Sequence, residues 1–166
     1  MYFDASPWGG GGALRRGDQW LSYFWIAWTP EVAHILNIAI GASKHQTTWE
    51  LVSLYIVLLL YATKFRDRGL AIVGDNVASL QSAISLKGRR DLSKITREIA
   101  WRRVRYGWRF AVGHIPSENN NIADCLSRLS APGSEKRSLP AVLRHVRQVQ
   151  VPDLQRVWPC LHGCSE

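Results

Sequence analysis

The chain has 166 residues, 21 Lys and Arg against 13 Asp and Glu for a net charge of +8, and 46% hydrophobic residues including eight Trp. That apolar content excludes intrinsic disorder and suffices for one core of ordinary domain size. The longest nearly apolar run, Leu51 to Ala62, spans 12 residues with Ser53 inside it, short of the roughly 20 that a bilayer-crossing helix needs. Asp4 and the glycine run Gly9 to Gly12 are unlike a secretory leader, so an intracellular, non-secreted protein is expected.

Three strands are expected first: Tyr2 to Ser6, Gly11 to Arg16 and Trp20 to Trp28. The third is the clearest, because Trp20, Tyr23, Phe24, Trp25, Ile26 and Trp28 suit a pleated surface and Gly17-Asp18 supplies the turn before it. Thr29 to Gln46, broken by Pro30 and Gly41, reads as an insertion with a short helical stretch around Glu31 to Ile40. Thr47 or Thr48 can cap a buried helix with Glu50 in its first turn, running through Leu51 to Tyr61 toward Lys64, Arg66 and Arg68. A strand Leu70 to Gly74 feeds a helix Asn76 to Leu86 at Asp75. A helix from Asp91 to Tyr106 turns Leu92, Ile95 and Ile99 inward. A strand Arg109 to Val112, a polar loop His114 to Asn121 and a helix Ile122 to Leu129 carrying Asp124 follow.

Residues 1 to 130 thus read as one α/β domain of order β-β-β-α-β-α-α-β-α, and 131 to 166 as a basic, proline-containing extension with an amphipathic helix over Leu139 to Val151. Cys125, Cys160 and Cys164 do not make a disulfide framework. Cys160, His162 and Cys164 lie close together, but no second ligand pair of zinc-site spacing accompanies them. The positive charge favours a polyanionic partner through steering and counterion release, nucleic acid before an anionic membrane surface.

Four acids stand at element positions that matter: Asp4 within the first strand, Glu50 at a helix start, Asp75 at a strand end and Asp124 at the last helix. Glu50, Asp75 and Asp124 each have an ordinary use as a cap or helix-dipole residue. A carboxylate inside an apolar strand has none, and its burial is costly unless it is paired or bound to a cation. A hard divalent ion such as Mg²⁺ is held by such oxygens, and two ions about 3.5–4 Å apart clamp the attacking and leaving oxygens of a phosphodiester.

Phe3-Asp4-Ala5-Ser6 with its glycines, Trp49-Glu50-Leu51, Gly74-Asp75-Asn76, and His114-Ile115-Pro116 through Asn120 to Ala123-Asp124-Cys125-Leu126-Ser127-Arg128 resemble the ribonuclease H domain of retroelement reverse transcriptases. The likeness covers residues 2 to 130, and the last segment is its most specific part. It implies a ribonuclease H-like three-layer fold on a mixed five-stranded sheet flanked by helices, which cuts the RNA strand of an RNA/DNA hybrid with two Mg²⁺ or Mn²⁺ ions. By position, Asp4, Glu50, Asp75 and Asp124 would be the metal-binding carboxylates. His114, ten residues before Asp124, takes the place of a loop histidine that assists proton transfer or product release, which an imidazole titrating near neutrality suits. Hybrid would be recognised by shape and 2′-hydroxyls. Ser6, Asn76 and Asn120 are candidates for sugar or phosphate contacts or for ordering the site, and Lys87, Arg89 and Arg90 form a basic corner that can touch phosphate.

With three residues before Asp4, the resemblance implies a piece of a larger polyprotein whose polymerase domain lies upstream. The segment Lys87 to Arg90 leaves no room for the basic protrusion of cellular enzymes, so the tail Arg137 to Arg156 is expected to supply affinity instead. Two competing readings share these residues: a transposase or integrase nuclease acting on DNA, and a catalytically silent hybrid-binding or connecting module.

Overall fold

The computed structural model describes residues 1–65, 67, 69–87, 91–134 and 137–157. Three antiparallel strands, β1 (Tyr2–Ser6), β2 (Gly9–Arg16) and β3 (Gln19–Ala27), open the chain. Helix α1 (Pro30–Leu36) follows, with Thr29 Oγ1 accepting from Val32 N–H at 3.4 Å as its N-cap. It stops at Asn37, whose φ of 56° is left-handed, three residues before the expected end at Ile40. Helix α2 (Gln46–Val57) continues into a π-helical turn over Leu58–Ala62.

Strand β4 (Leu70–Gly74) leads into α3 (Val77–Ser85), capped by Asn76 Oδ1 accepting from Ser79 N–H at 3.0 Å. Then come α4 (Asp91–Tyr106), β5 (Phe110–His114) and α5 (Asn121–Ser127). With a last strand β6 (Arg147–Gln148), the sheet order is β5-β4-β1-β2-β3-β6, with β4 parallel to both β1 and β5. It is a mixed sheet of six strands, one more than expected.

The sixth comes from the tail. Pro140 precedes a 3₁₀ turn over Ala141–Leu143, and β6 (Arg147–Gln148) pairs in parallel with Ser22 and Tyr23 of β3. The expected helix over Leu139 to Val151 is therefore not formed. The free edge of β3 offers backbone partners that a lone helix lacks. The described tail packs closely: Leu143 shares a small core with Ala13, Tyr23 and Leu126, and Leu154 of α6 (Leu154–Val157) enters the main core.

Helix α2, buried at every residue from Thr48 to Val57, covers one face of the sheet with α3 and α4 against it, and α5 covers the other. The glycines of β2 make this possible. A Cβ on Gly10 would meet Ser53 of α2 and the Trp28 indole, and one on Gly11 would lie 2.7 Å from the backbone nitrogen of Ser127 in α5. Glycine here lets two helices approach the strand backbone, so the run read as the approach to a strand beginning at Gly11 is already strand from Gly9. Among the described residues no helix is long and apolar enough to cross a membrane.

Candidate metal centre

Asp4 occupies the middle of β1, opposite Gly11, and is 5% exposed. Its Oδ2 accepts a hydrogen bond from Ser127 Oγ at 2.6 Å, which ties the strand to the end of α5. Glu50 does not lie in the first turn of its helix as expected, because a 3₁₀ turn over Ser43–His45 runs straight into α2 and starts it at Gln46. One turn further in, Glu50 cannot serve the helix dipole, and it is 2% exposed. Its Oε1 accepts from Gln46 Nε2 at 2.9 Å and from Ala5 N–H at 3.3 Å, while Oε2 is buried with no hydrogen-bond partner. Asp75 follows β4 directly, half-buried, and its Oδ2 accepts from Ser117 Oγ at 2.7 Å.

Asp4, Glu50 and Asp75 each bring one carboxylate oxygen to a common point, all within 4.8 Å of one another. Among the described residues no Lys or Arg forms an ion pair with any of the three. Burial, chiefly, pushes the Asp4 carboxyl up to about 6, and the negative charges of Asp75 and Asp124 add to it against the Ser127 hydrogen bond. Glu50 is raised well above the usual carboxylate range by burial first, then by Asp4 and Asp75.

The buried acid of α4 makes the contrast. Glu98, fully buried, accepts from Arg102 Nε at 2.6 Å and from the Tyr55 hydroxyl at 3.0 Å. Glu98 Oε2 is, like Glu50 Oε2, buried without a hydrogen-bond partner, but Glu98 has a guanidinium paired with it, whereas none of the triad carboxyls forms an ion pair and Arg128, paired with Asp124, acts on Asp4 and Asp75 only at longer range. An all-oxygen donor set with an unspent lone pair fits a hard divalent cation such as Mg²⁺ or Mn²⁺, so the triad can hold a metal ion.

Asp124, expected as a fourth ligand, lies outside this cluster. Its Oδ1 accepts from Arg128 Nε at 2.6 Å, an i,i+4 pair on the outer face of α5. It is still near enough to raise the Asp4 carboxyl. His114 is not in the loop where it was expected. It is the last residue of β5, in register with Gly74 just before Asp75, and its side chain is exposed.

Of the polar residues considered for nucleic-acid contacts or for ordering the site, Ser6 and Asn120 are buried and do the second. Ser6, 2% exposed, donates to the Ser127 carbonyl at 2.7 Å and accepts from Trp8 and Gly9 N–H, both at 3.2 Å. It holds the β1–β2 turn against α5 and has no surface to offer a substrate. Asn120, also 2% exposed, donates through Nδ2 to the Phe3 carbonyl at 2.9 Å, bracing β1 beside Asp4. Asn76 is the half-buried cap of α3. Lys87 is exposed, whereas Arg89 and Arg90, like Cys160, His162 and Cys164, lie outside the described residues.

Three residues that hold the carboxylates were missed from the sequence: Gln46, Ser117 and Ser127. Gln46 carried a signal, standing four residues before Glu50 on one helix face. Ser117 and Ser127 carried none, since their partners are 42 and 123 residues away. No protein-family model, no curated protein and no solved structure matches this chain.

Proposed function

We propose that the chain is a metal-dependent endonuclease hydrolysing the RNA strand of RNA/DNA hybrids, as the ribonuclease H part of a retroelement reverse transcriptase. The observation that carries the nuclease reading is the convergence of Asp4, Glu50 and Asp75 within 4.8 Å, with one Glu50 oxygen unpartnered and, among the described residues, no direct ion pair to any of the three. The preference for hybrid, and the retroelement origin with a polymerase domain upstream, rest on the sequence segments around these acids.

Asp4, Glu50 and Asp75 would hold divalent ions, which when bound would supply an activated water and charge neutralisation at the scissile phosphate; Asp124 would need to give up its Arg128 pair to join them. The chain's own groups prepare that site. Ser127 and Gln46 fix the Asp4 and Glu50 carboxylates from α5 and α2, and Ser117 aims Asp75. A cation favours the ionised carboxyls, offsetting the burial that raises them. His114, exposed at the end of β5 in register with Gly74, would be the group that assists proton transfer to the departing 3′ oxygen, an assignment that rests on the sequence segment carrying it. The net +8 charge holds the polyanion by its backbone.

The test is cleavage of a labelled RNA/DNA hybrid, with single-stranded RNA and duplex DNA as controls, in Mg²⁺ and in EDTA, for wild type and Asp75→Asn. Metal-dependent cutting of hybrid RNA alone, lost in the variant, is the expected result. Cutting of duplex DNA, or hybrid binding without cutting in Mg²⁺, overturns the reading.

A further inference from the structure

Helix α4 shows solvent a face that the nuclease reading does not use. Arg97, Trp101, Val104 and Arg105 recur at the i, i+4, i+7, i+8 spacing of one helical stripe and all are exposed, Trp101 by 42% and Val104 by 89%. Trp101 is thus flanked one turn away on each side by a guanidinium, about 6 Å along the axis. Its ring meets Tyr106 edge-on at 5.8 Å, and Tyr106, 36% exposed, lies 6.4 Å from the Trp108 ring at 30°. Beside the stripe runs a groove of about 550 Å³ whose lining includes Arg103, Val104, Trp108 and Arg109. An adjoining groove shares Arg109 and carries one acid, Asp67.

Trp108 is buried at 4%, so the exposed rings are Trp101 and Tyr106, with the Arg102 guanidinium 5.8 Å and 5.7 Å from their centroids, and such a pair of large exposed rings marks a candidate binding surface. The charge around these is of one sign. From residue 97 to 109 there are five arginines and one acid, Glu98, which is fully buried and spent on Arg102 and Tyr55. An acidic peptide would answer the arginines but bring no flat ring to the exposed part of Trp101. A nucleic-acid strand brings a phosphate and a π-face with every residue, matching the alternation of guanidinium and ring. Bases in a duplex are stacked and closed to side chains, so the strand must be unpaired. The stripe also stands apart from the carboxylates: the end of α4 feeds the start of β5 at Phe110, whereas His114 and Asp75 lie at the finishing ends of their strands, about 13 Å further along.

We propose that this face of α4 is a second nucleic-acid site, which binds single-stranded DNA or RNA by stacking an unpaired base on Trp101 while Arg97, Arg105 and the Arg103/Arg109 groove take phosphates. It does not depend on the triad being a nuclease.

The experiment measures binding of the whole chain to a short labelled oligothymidylate and to a DNA duplex of equal length, in EDTA, by fluorescence anisotropy over a salt series. The single strand binds more tightly than the duplex, and Trp101→Ala weakens it by about 5- to 100-fold, the usual loss of one stacked base, while Trp101→Phe restores most of it. Arg97→Ser with Arg105→Ser lowers the salt slope by about 0.7 for each phosphate no longer neutralised. Asp75→Asn binds the single strand as wild type does, so the outcome is read separately from that of the cleavage assay. Equal binding of duplex and single strand, or wild-type affinity in Trp101→Ala, overturns the proposal. No binding of the single strand at low salt overturns it as well and leaves the stripe as a protein-docking face.

Discussion

Replacing Asp4 by Asn should stabilise the protein when metal is absent and weaken it relative to wild type when metal is present. In the metal-free fold the Asp4 carboxyl titrates at about 6 against 3.8 for the free group. The folded state therefore binds this proton more tightly than the unfolded one. The stabilisation it provides is complete below about pH 4 and is lost as pH rises toward 6. Roughly two units at about 1.4 kcal/mol each make a penalty on the order of 3 kcal/mol above pH 6. Asn carries no such penalty, but its bond with Ser127 is weaker by about 1 kcal/mol. The net expectation in EDTA at pH 8 is a gain of about 1–2 kcal/mol, or about 2–8 °C in Tm for a chain of this size. Wild type recovers about 2.7 kcal/mol in Mg²⁺ at 100 times its Kd, and the variant recovers much less. Urea denaturation of both proteins at pH 5 and pH 8, with EDTA and with Mg²⁺, reads this crossing. An Asn variant less stable than wild type in EDTA at pH 8, or a wild type indifferent to Mg²⁺, would refute the account of the triad.

Ser127→Ala removes the hydrogen bond that lowers the Asp4 carboxyl, so the acidic limb of the hybrid-cleavage rate moves to higher pH, and an unmoved pH–rate profile would count against Ser127 as a positioning residue. Gly11→Ala forces a methyl against Leu126 and the Ser127 backbone, which cannot swing aside, and should cost about 1–3 kcal/mol in thermal unfolding while displacing α5 from Asp4. Arg102→Ala leaves the buried Glu98 charge without its guanidinium and should cost about 3–5 kcal/mol, measurable by urea denaturation, with Glu98→Gln in the same background recovering part of it.

Much of the architecture was legible because it is locally encoded. Helix α4 has the bounds that its apolar spacing and Gly107 predict, and β4 ends at Gly74 where the turn residues begin. Of the differences, one has a local cause and one a distant one. Counting Thr47 or Thr48 as the cap put Glu50 in the first turn, because the Ser43–His45 turn that extends the helix backward carries no capping signature. The tail's periodicity resembled a helix, and pairing with β3 won over it.

By itself the sequence determined the alternation of strand and helix, the basic surface and the element on which each acid rides, since these follow from side-chain periodicity and turn chemistry within a few residues. Only the tertiary structure decided which acids meet. Asp4, Glu50 and Asp75 come from a strand, a helix and a strand end, brought together because Gly10 and Gly11 let α2 and α5 close on β2 from both sides. Asp124 pairs with an arginine four residues on and stays out of the cluster, and the tail was recruited by the open edge of β3. Periodicity is read over a helical turn or two, whereas a site of converging charges is set by residues tens of positions apart, where close packing and burial choose the partners.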